Sequence, residues 1–371
     1  MNLRIEVIDN LNDLESSKPE WNRLAGKFPF FRWEWMANWQ THLARNSQPL
    51  IVVVQDEAGN WVGIAPFCLN QTTANGRSIE LLSSGITCGD YLDLICDPED
   101  YSTVASLVVD WLTENAGKES RFGGFDSIIL EGVAGDSDQL TLLKGLFSAA
   151  HFDSHVSDIE SCWEVALPAT WEELNATFSK SHRRKTKKAV QRLADPLTQV
   201  RSSRIEGIAP LWDVFVTLHQ LRRESLGEPG CFADPDFNHF LKTAVEQLAE
   251  LDLAELVIFE YDGFAFGSHL LLNDGQRSFM YQSGIHPDWV KMEPGYQLIV
   301  WSLSESIARG FRSFDFLRGD EPYKARWNSV RNPLQRIKLV PPKLSSRLRH
   351  QIWLSGKSIK NYFNQFGLLQ K

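Results

Sequence analysis

The cysteine spacings that bind metals or build redox centres are missing from this chain. Its five cysteines (Cys68, Cys88, Cys96, Cys162, Cys231) form no CxxC pair, and its histidines form no HxH or HExxH pattern. Structural zinc, a metal-assisted hydrolase and a disulfide framework are therefore not expected, and no metal is called for. A GxSxG nucleophile elbow and a GxxxxGK[ST] phosphate loop are absent too, which argues against a serine hydrolase and a P-loop NTPase. No apolar run approaches the roughly 18 residues of a spanning helix, and no secretory signal is recognisable. These absences predict reduced thiols in a cytoplasmic protein, soluble or peripheral on the inner face of a membrane.

Acidic residues are scarce in one segment only. Pro322 to Lys371 holds eleven of the 38 Lys and Arg residues and none of the 47 Asp and Glu. Residues 1–321 consequently carry 27 basic against 47 acidic groups, a net −20, beneath an overall −9. The C-terminal segment is a separate electrostatic object. From Leu348 the apolar residues Ile352, Ile359, Phe363 and Phe366 recur near the helical period, with Arg347, Arg349, Lys357 and Lys360 around them. This predicts a basic amphipathic tail helix that either lies on a membrane surface or docks on the acidic body of its own chain.

What is present is material for two ordinary domains: 371 residues, 43% of them hydrophobic. The runs IVVV and WVGIAPF, separated by Asp56 to Asn60, read as a hairpin, with Tyr91–Ile95 as a third strand. A helix around Val104–Leu112, a strand over Ser127–Leu130 and a helix over Asp138–Ala149 follow. The second half repeats this order. Strands Leu256–Tyr261, Phe264–Leu272 and Ser278–Gly284 are joined by Asp262-Gly263 and Asn273-Asp274-Gly275 turns; a helix from Gly295 to Ala308 ends at Gly310, and a strand covers Ser313–Leu317. A meander feeding a helix and then a strand, twice, predicts an α+β fold made of a duplicated unit. The boundaries expected are 1–160, 161–342 and a tail helix over 343–371.

Three segments carry candidate chemistry. In Lys180–Lys188, seven of nine residues are Lys, Arg or His; this is either a solvated helix face or an anion site, with Arg183 and Arg184 as substrate contacts. Segment Ile285–Gln297 puts Pro294-Gly295 at a helix start, where unpaired N–H groups favour a phosphate, with Lys291 adding charge. Tyr281, Tyr296 and Gln297 complete the expected cofactor contacts. The matching junction of the first half, Cys96–Tyr101, carries three carboxylates and would repel phosphate, leaving that half as support or acceptor side. The third segment is Phe314–Trp327, where charges crowd the carboxyl end of a strand. There Lys324 and Arg326 are candidates to meet an oxyanion, and Asp320 or Glu321 to take the proton of an attacking amine; a salt-bridge network capping the strand is the alternative. Arg318, Tyr323 and His219 are candidate substrate contacts. The loop Gly227–Phe232 reads as a lid or acceptor wall, with Cys231 a poor nucleophile candidate for want of a base near it in sequence.

Ser181-His182-Arg183-Arg184, Tyr281-Gln282-Ser283-Gly284 with Pro294-Gly295, and above all FDFLRGDEPYKARW from Phe314 to Trp327 resemble the CelD/BcsL-type branch of the GNAT acyltransferases, relatives of the Fem aminoacyltransferases. Pro29–Trp35 and Gly89–Leu94 resemble it too, so the likeness spans about Phe28 to Val340. The resemblance implies tandem GNAT-like domains, each a mixed, mostly antiparallel sheet flanked by helices. It also implies transfer of an acyl group from acetyl-CoA or another acyl-CoA, as co-substrate, to an amine of a cell-envelope or exopolysaccharide precursor, a small-molecule or lipid-linked sugar. Lys324 matches the lysine that supports transfer in Fem relatives. Of a Q/RxxGxG/A loop only Gly295 is clearly present, which keeps aminoacyl-tRNA open as the donor. The acid-rich body and the lack of a segment for the inserted helical hairpin of tRNA-clasping Fem proteins count against nucleic acid. A non-catalytic nucleotide-binding module is the remaining reading.

Overall fold

A computed structural model of the chain describes residues 2–10, 15–44, 47–73, 75–118 and 120–365, with the side chains of the last helix as far as residue 355. In chain order its elements are β1 (Arg4–Ile8), α1 (Lys18–Ala25), α2 (Trp33–His42), β2 (Gln48–Gln55), β3 (Trp61–Thr72), β4 (Gly76–Leu81), β5 (Ile95–Cys96), α3 (Tyr101–Ala116), β6 (Ser127–Ala134), α4 (Asp138–Ala149) and β7 (Asp153–Ala166). They continue with α5 (Trp171–Ala176), α6 (Lys180–Leu193), β8 (Thr198–Ser202), α7 (Ser203–Glu206), α8 (Ala209–Glu224), α9 (Pro235–Glu250), β9 (Ala254–Tyr261), β10 (Phe264–Asn273), β11 (Arg277–Ile285), α10 (Pro294–Ala308), β12 (Ser313–Asp315), β13 (Val330–Val340) and α11 (Leu344–Gln365).

Two compact units result: Met1–Leu24, Ala44–Ile159 and Leu334–Lys371 in the first, Ala25–Leu43 and Glu160–Pro333 in the second. This differs from the linear division at both ends of the chain. Residues 25–43 join the second unit because their aromatics pack there: Trp35 stands edge-on to Phe240 at 5.0 Å and to Tyr281 at 5.2 Å, and Phe28 to Phe279 at 5.8 Å. The tail helix joins the first unit because Ser346 donates to Asp126, Arg347 pairs with Asp153 and Arg349 with Asp126. Its sequence-predicted members Lys357, Ile359, Lys360, Phe363 and Phe366 lie outside the described side chains.

In the first unit the strand order is β1-β2-β3-β4-β6-β13, antiparallel except for the parallel pair β4/β6. The third meander strand is β4, not the predicted Tyr91–Ile95 run, of which only Ile95 pairs, with Ile64. Tyr91 takes a positive φ of 60°, Leu92 N–H donates to the Gly132 carbonyl, and the Asp93 carboxylate accepts from the next backbone N–H and from the Tyr101 hydroxyl, so that run is bent and forms no continuous ladder.

In the second unit the order is β7-β12-β11-β10-β9-β8, again antiparallel except for the parallel pair β11/β12. The predicted Asp-Gly turns, the helix beginning at Pro294 and the Gly310 terminus, with φ +78°, are all present. Two glycines let helices close on this sheet. A Cβ on Gly267 would lie 2.7 Å from Leu298 of α10, and one on Gly284 would lie 2.6 Å from the His219 nitrogen of α8.

Among the described residues no helix is long and apolar enough to cross a membrane, and no group of three or more His, Cys, Asp or Glu side chains is placed to hold a metal ion.

Candidate active site of the second unit

The parallel pair β11/β12 holds for only three residue pairs, Arg277–Phe279 against Ser313–Asp315. Past Asp315 the chain turns to β7: Phe316 N–H donates to the Trp163 carbonyl and Gly319 N–H to that of Ser161. Strand β11 meanwhile runs on through Met280–Ile285 with β10 alone beside it. Strands that part in this way leave one edge of β11 open, with alternate backbone groups facing the gap. The departure is built in locally. The Asp315 carboxylate is fully buried and accepts from Leu317 N–H at 2.7 Å, while Leu317 takes φ +55°.

The same unit has a cleft of about 450 Å3 lined by Ser179, Ser181, His182, Lys185, Tyr296, Ala325, Arg326 and Asn328. Two helix starts meet there. Helix α6 is capped by Ser179, whose hydroxyl accepts from His182 N–H. Helix α10 begins at Pro294, and Glu293 before it sits in the left-handed region, φ 48°, without a side-chain cap. Gly295 leaves the second start uncrowded, since a Cβ there would meet only Ile285 Cδ1, at 3.8 Å. Uncapped N–H groups at a helix start favour an anion.

His182 is 6% exposed. Its ring stands between Phe178 (4.7 Å), Trp327 (4.6 Å) and Tyr296 (5.4 Å). Nδ1 lies 3.4 Å from the Tyr296 hydroxyl, and Nε2 has no hydrogen-bond partner. Burial, then the charges of Lys185 and Arg326, push its pKa below the usual imidazole value, so the ring is neutral near pH 7. Lys185 pairs with Glu293 at 2.9 Å and lies over the Tyr296 ring. That hydrogen bond to Glu293 is the main reason its pKa is raised.

Of the expected site residues, Arg326 and Tyr296 line this cleft, and Pro294 and Gly295 form its helix start. Lys291 lies exposed in the short helix Pro287–Met292, and Gln297 is buried with its amide toward the Met292 carbonyl. Arg183 is spent on the carbonyls of Ala176 and Phe178, while Arg184 points to solvent. Tyr281 falls at the one irregularity in the β10/β11 register, and its ring packs on Phe30 and Trp35.

The free ammonium expected at Lys324 is not what the structure shows. Lys324 is 2% exposed and gives its three donors to the carbonyls of Leu317 and Arg318 and to Glu321, at 2.9–3.0 Å. The reason is local: the turn after β12 directs two carbonyls inward, and a lysine is the side chain that can satisfy both. Asp320 accepts from the Trp163 indole and pairs with Arg331. Much of this charged cluster is thus the strand-capping network. Arg318 lends its carbonyl to that network, and Tyr323 is largely buried, its hydroxyl pKa raised by desolvation.

His219 is a buried imidazole whose pKa burial lowers to about 4. Its Nδ1 is 3.2 Å from Gln220 Oε1 and its Nε2 3.7 Å from Cys231 Sγ. A base does therefore stand beside Cys231, from an element 12 residues away. The loop that carries the thiol is pinned by Gln220 to the Pro229 carbonyl and by Arg223 to Glu228, which suits a wall better than a lid. Sequence reasoning missed His182 and Lys185 as site residues. Their signal was the i, i+3 spacing, which turns both to one side of α6.

Comparison with known proteins decides the fold. Residues 179–325 match the family model described as an acetyltransferase (GNAT) domain. No curated protein matches the chain in sequence. A solved structure described as FemX is similar over 90% of this chain and 97% of its own, with a TM-score of 0.59 and 13% identity. The C-terminal domain of a putative lysylphosphatidylglycerol synthetase from Agrobacterium fabrum is similar over 90% and 94%, with 0.55 and 10%. L-PGS from Bacillus licheniformis is similar over 96% and 99%, with 0.53 and 9%. The chain thus has a GNAT-like α+β fold, and the match to the GNAT family model lies within its second unit.

Proposed function

We propose that the second unit is an N-acyltransferase whose donor lays its carbonyl against the open edge of β11 and its phosphates in the cleft at the starts of α6 and α10. The observation that carries this is the parting of β11 from β12 after Phe279 and Asp315, in the same unit as a cleft lined by Lys185 and Arg326. An acceptor amine attacks the donor carbonyl; backbone N–H groups of β11 meet the oxyanion; the intermediate collapses to an amide as the donor's carrier leaves and takes up the proton lost by the amine. Neutral His182 accepts or donates one hydrogen bond in the cleft without adding charge. Lys324 braces the turn that keeps the strands apart.

The donor we favour is acetyl-CoA or another acyl-CoA, whose pyrophosphate suits a cleft of this size and sign. A second reading, an aminoacyl-tRNA donor, is favoured by α6: Lys180, Arg183, Arg184, Lys187 and Lys188 are exposed without an ion pair among the described residues, a row of cations longer than one pyrophosphate needs. The likeness to proteins described as FemX and as lysylphosphatidylglycerol synthetases fits that donor as well. The acceptor is an amine of a cell-envelope or exopolysaccharide precursor in either reading.

Thermal shift of the full chain with acetyl-CoA, longer acyl-CoAs and aminoacyl-tRNA tests the proposal. A stabilising acyl-CoA whose effect changes little with salt supports the first donor. A stabilising tRNA whose effect falls steeply with salt supports the second. No shift with any donor removes the acyltransferase reading.

A further inference from the structure

Helix α11 shows solvent an apolar stripe while its other side is held fast. Ser346, His350 and Trp353 face the first unit. Ser346 donates to Asp126, His350 stacks on Trp353 at 5.6 Å, Lys338 Nζ lies over the Trp353 ring at 4.5 Å, and Arg347 and Arg349 reach Asp153 and Asp126. These contacts fix the rotation of the helix about its axis. Leu344, Leu348 and Ile352, spaced by four, are left 86%, 62% and 67% exposed. Large aliphatic side chains on consecutive turns of one helix face are costly to keep in water, and such a row marks a surface that meets something.

We propose that this stripe seats α11 in the interface of a bilayer containing anionic phospholipid. Charge selects this occupant. At 100° per residue Arg347 and Arg349 flank the stripe on either side, both remain about half exposed in their ion pairs, and no acidic residue occurs from Pro322 to the end of the chain. A second copy of the stripe would bring the same cations face to face. An anionic headgroup layer instead meets arginines beside a shallow apolar edge, the arrangement by which interfacial helices bind. The surface lies in the first unit, so this proposal stands whether or not the second unit transfers acyl groups.

The test is co-sedimentation of the full chain with phosphatidylcholine vesicles with and without phosphatidylglycerol, beside the double variant Leu348→Glu/Ile352→Glu. Both positions are exposed, so folding is retained, which circular dichroism verifies. The full chain binds vesicles containing phosphatidylglycerol, less so as salt rises, and the variant binds about tenfold more weakly or not at all, as expected when two aliphatic side chains no longer leave water. Equal binding by chain and variant, equal binding with and without the anionic lipid, or no binding to either vesicle overturns the proposal. So does a lipid-free dimer in sedimentation velocity that the variant dissolves, because the stripe would then belong to a second copy.

Discussion

The two units repeat one sequence of strands and helices, and they diverge where the third meander strand ends. In the first, β4 pairs with β6 through Ser78–Glu80 and stops one residue later, at Leu81. In the second, β11 pairs with β12 through Phe279 and continues to Ile285. A cavity in each unit differs as well. The first unit encloses about 20 Å3 lined mainly by leucines, valines and phenylalanines, enough for roughly one water. The second opens about 450 Å3 lined by Lys185, Arg326 and His182. The helix after β4 is preceded by Asp97, Glu99 and Asp100, the one after β11 by Asp288, Lys291 and Glu293. One scaffold can therefore carry a small apolar cavity or an open cleft with cations in its wall, and the two units differ in the length of one strand and in those wall residues.

The largest effect is expected from the turn that holds the second unit open. Lys324→Met keeps the volume and leaves the Leu317 and Arg318 carbonyls and Glu321 without their donor. The loss should be about 3 kcal/mol in denaturant unfolding, the cost of breaking a buried charged network. A variant of unchanged stability but lost turnover would return Lys324 to the chemistry and remove its bracing role from the contrast between the units.

Next comes the sign of charge. Lys185→Glu with Arg326→Glu should weaken donor binding by about 100-fold in calorimetry, with stability little changed because both groups are exposed or nearly so. Glu99→Lys in the first unit should gain no donor affinity, since its cavity stays closed. Donor binding that survived the double reversal would show that the cleft is not where the donor's phosphates rest.

The duplication itself was legible in sequence because turn residues and apolar runs are local signals: both Asp-Gly turns and the Pro294 and Gly310 helix ends stand where pattern puts them. The strand β4 was not, because Arg77 and Glu80 break its apolar look while Ser78 and Ile79 are buried by neighbours far along the chain. The exchange of residues 25–43 and 334–371 between units follows from packing of Trp35 and pairing of Arg347, which spacing does not encode. In the site, Arg326 and Tyr296 were recoverable from their motifs. The role of Lys324 was not, since a lysine that braces a turn and a lysine that meets an oxyanion look alike until the carbonyls around it are seen.

The smallest effect should come from the closed unit, and its pH dependence carries the information. Asp93 sits at the wall of the small cavity, and burial raises its carboxyl to about 6, against the hydrogen bonds from Tyr101 and Leu94. A carboxyl whose folded pKa lies above its unfolded value of 3.8 binds its proton more tightly in the folded state. Its stabilising contribution is full below the unfolded value and is lost as pH rises through about 6. Asp93→Asn cannot ionise, so it should raise the melting temperature above pH 6 and leave it nearly unchanged at the acidic end of the window. Each pKa unit corresponds to about 1.4 kcal/mol, and the amide accepts more weakly from Tyr101 and Leu94, so the net gain should be about 1 kcal/mol. A gain that is the same at every pH would mean that Asp93 is not ionising against burial. The cavity wall would then be wetter than its apolar lining implies, and the contrast between the two units would rest on strand length and on the charges lining the second cleft.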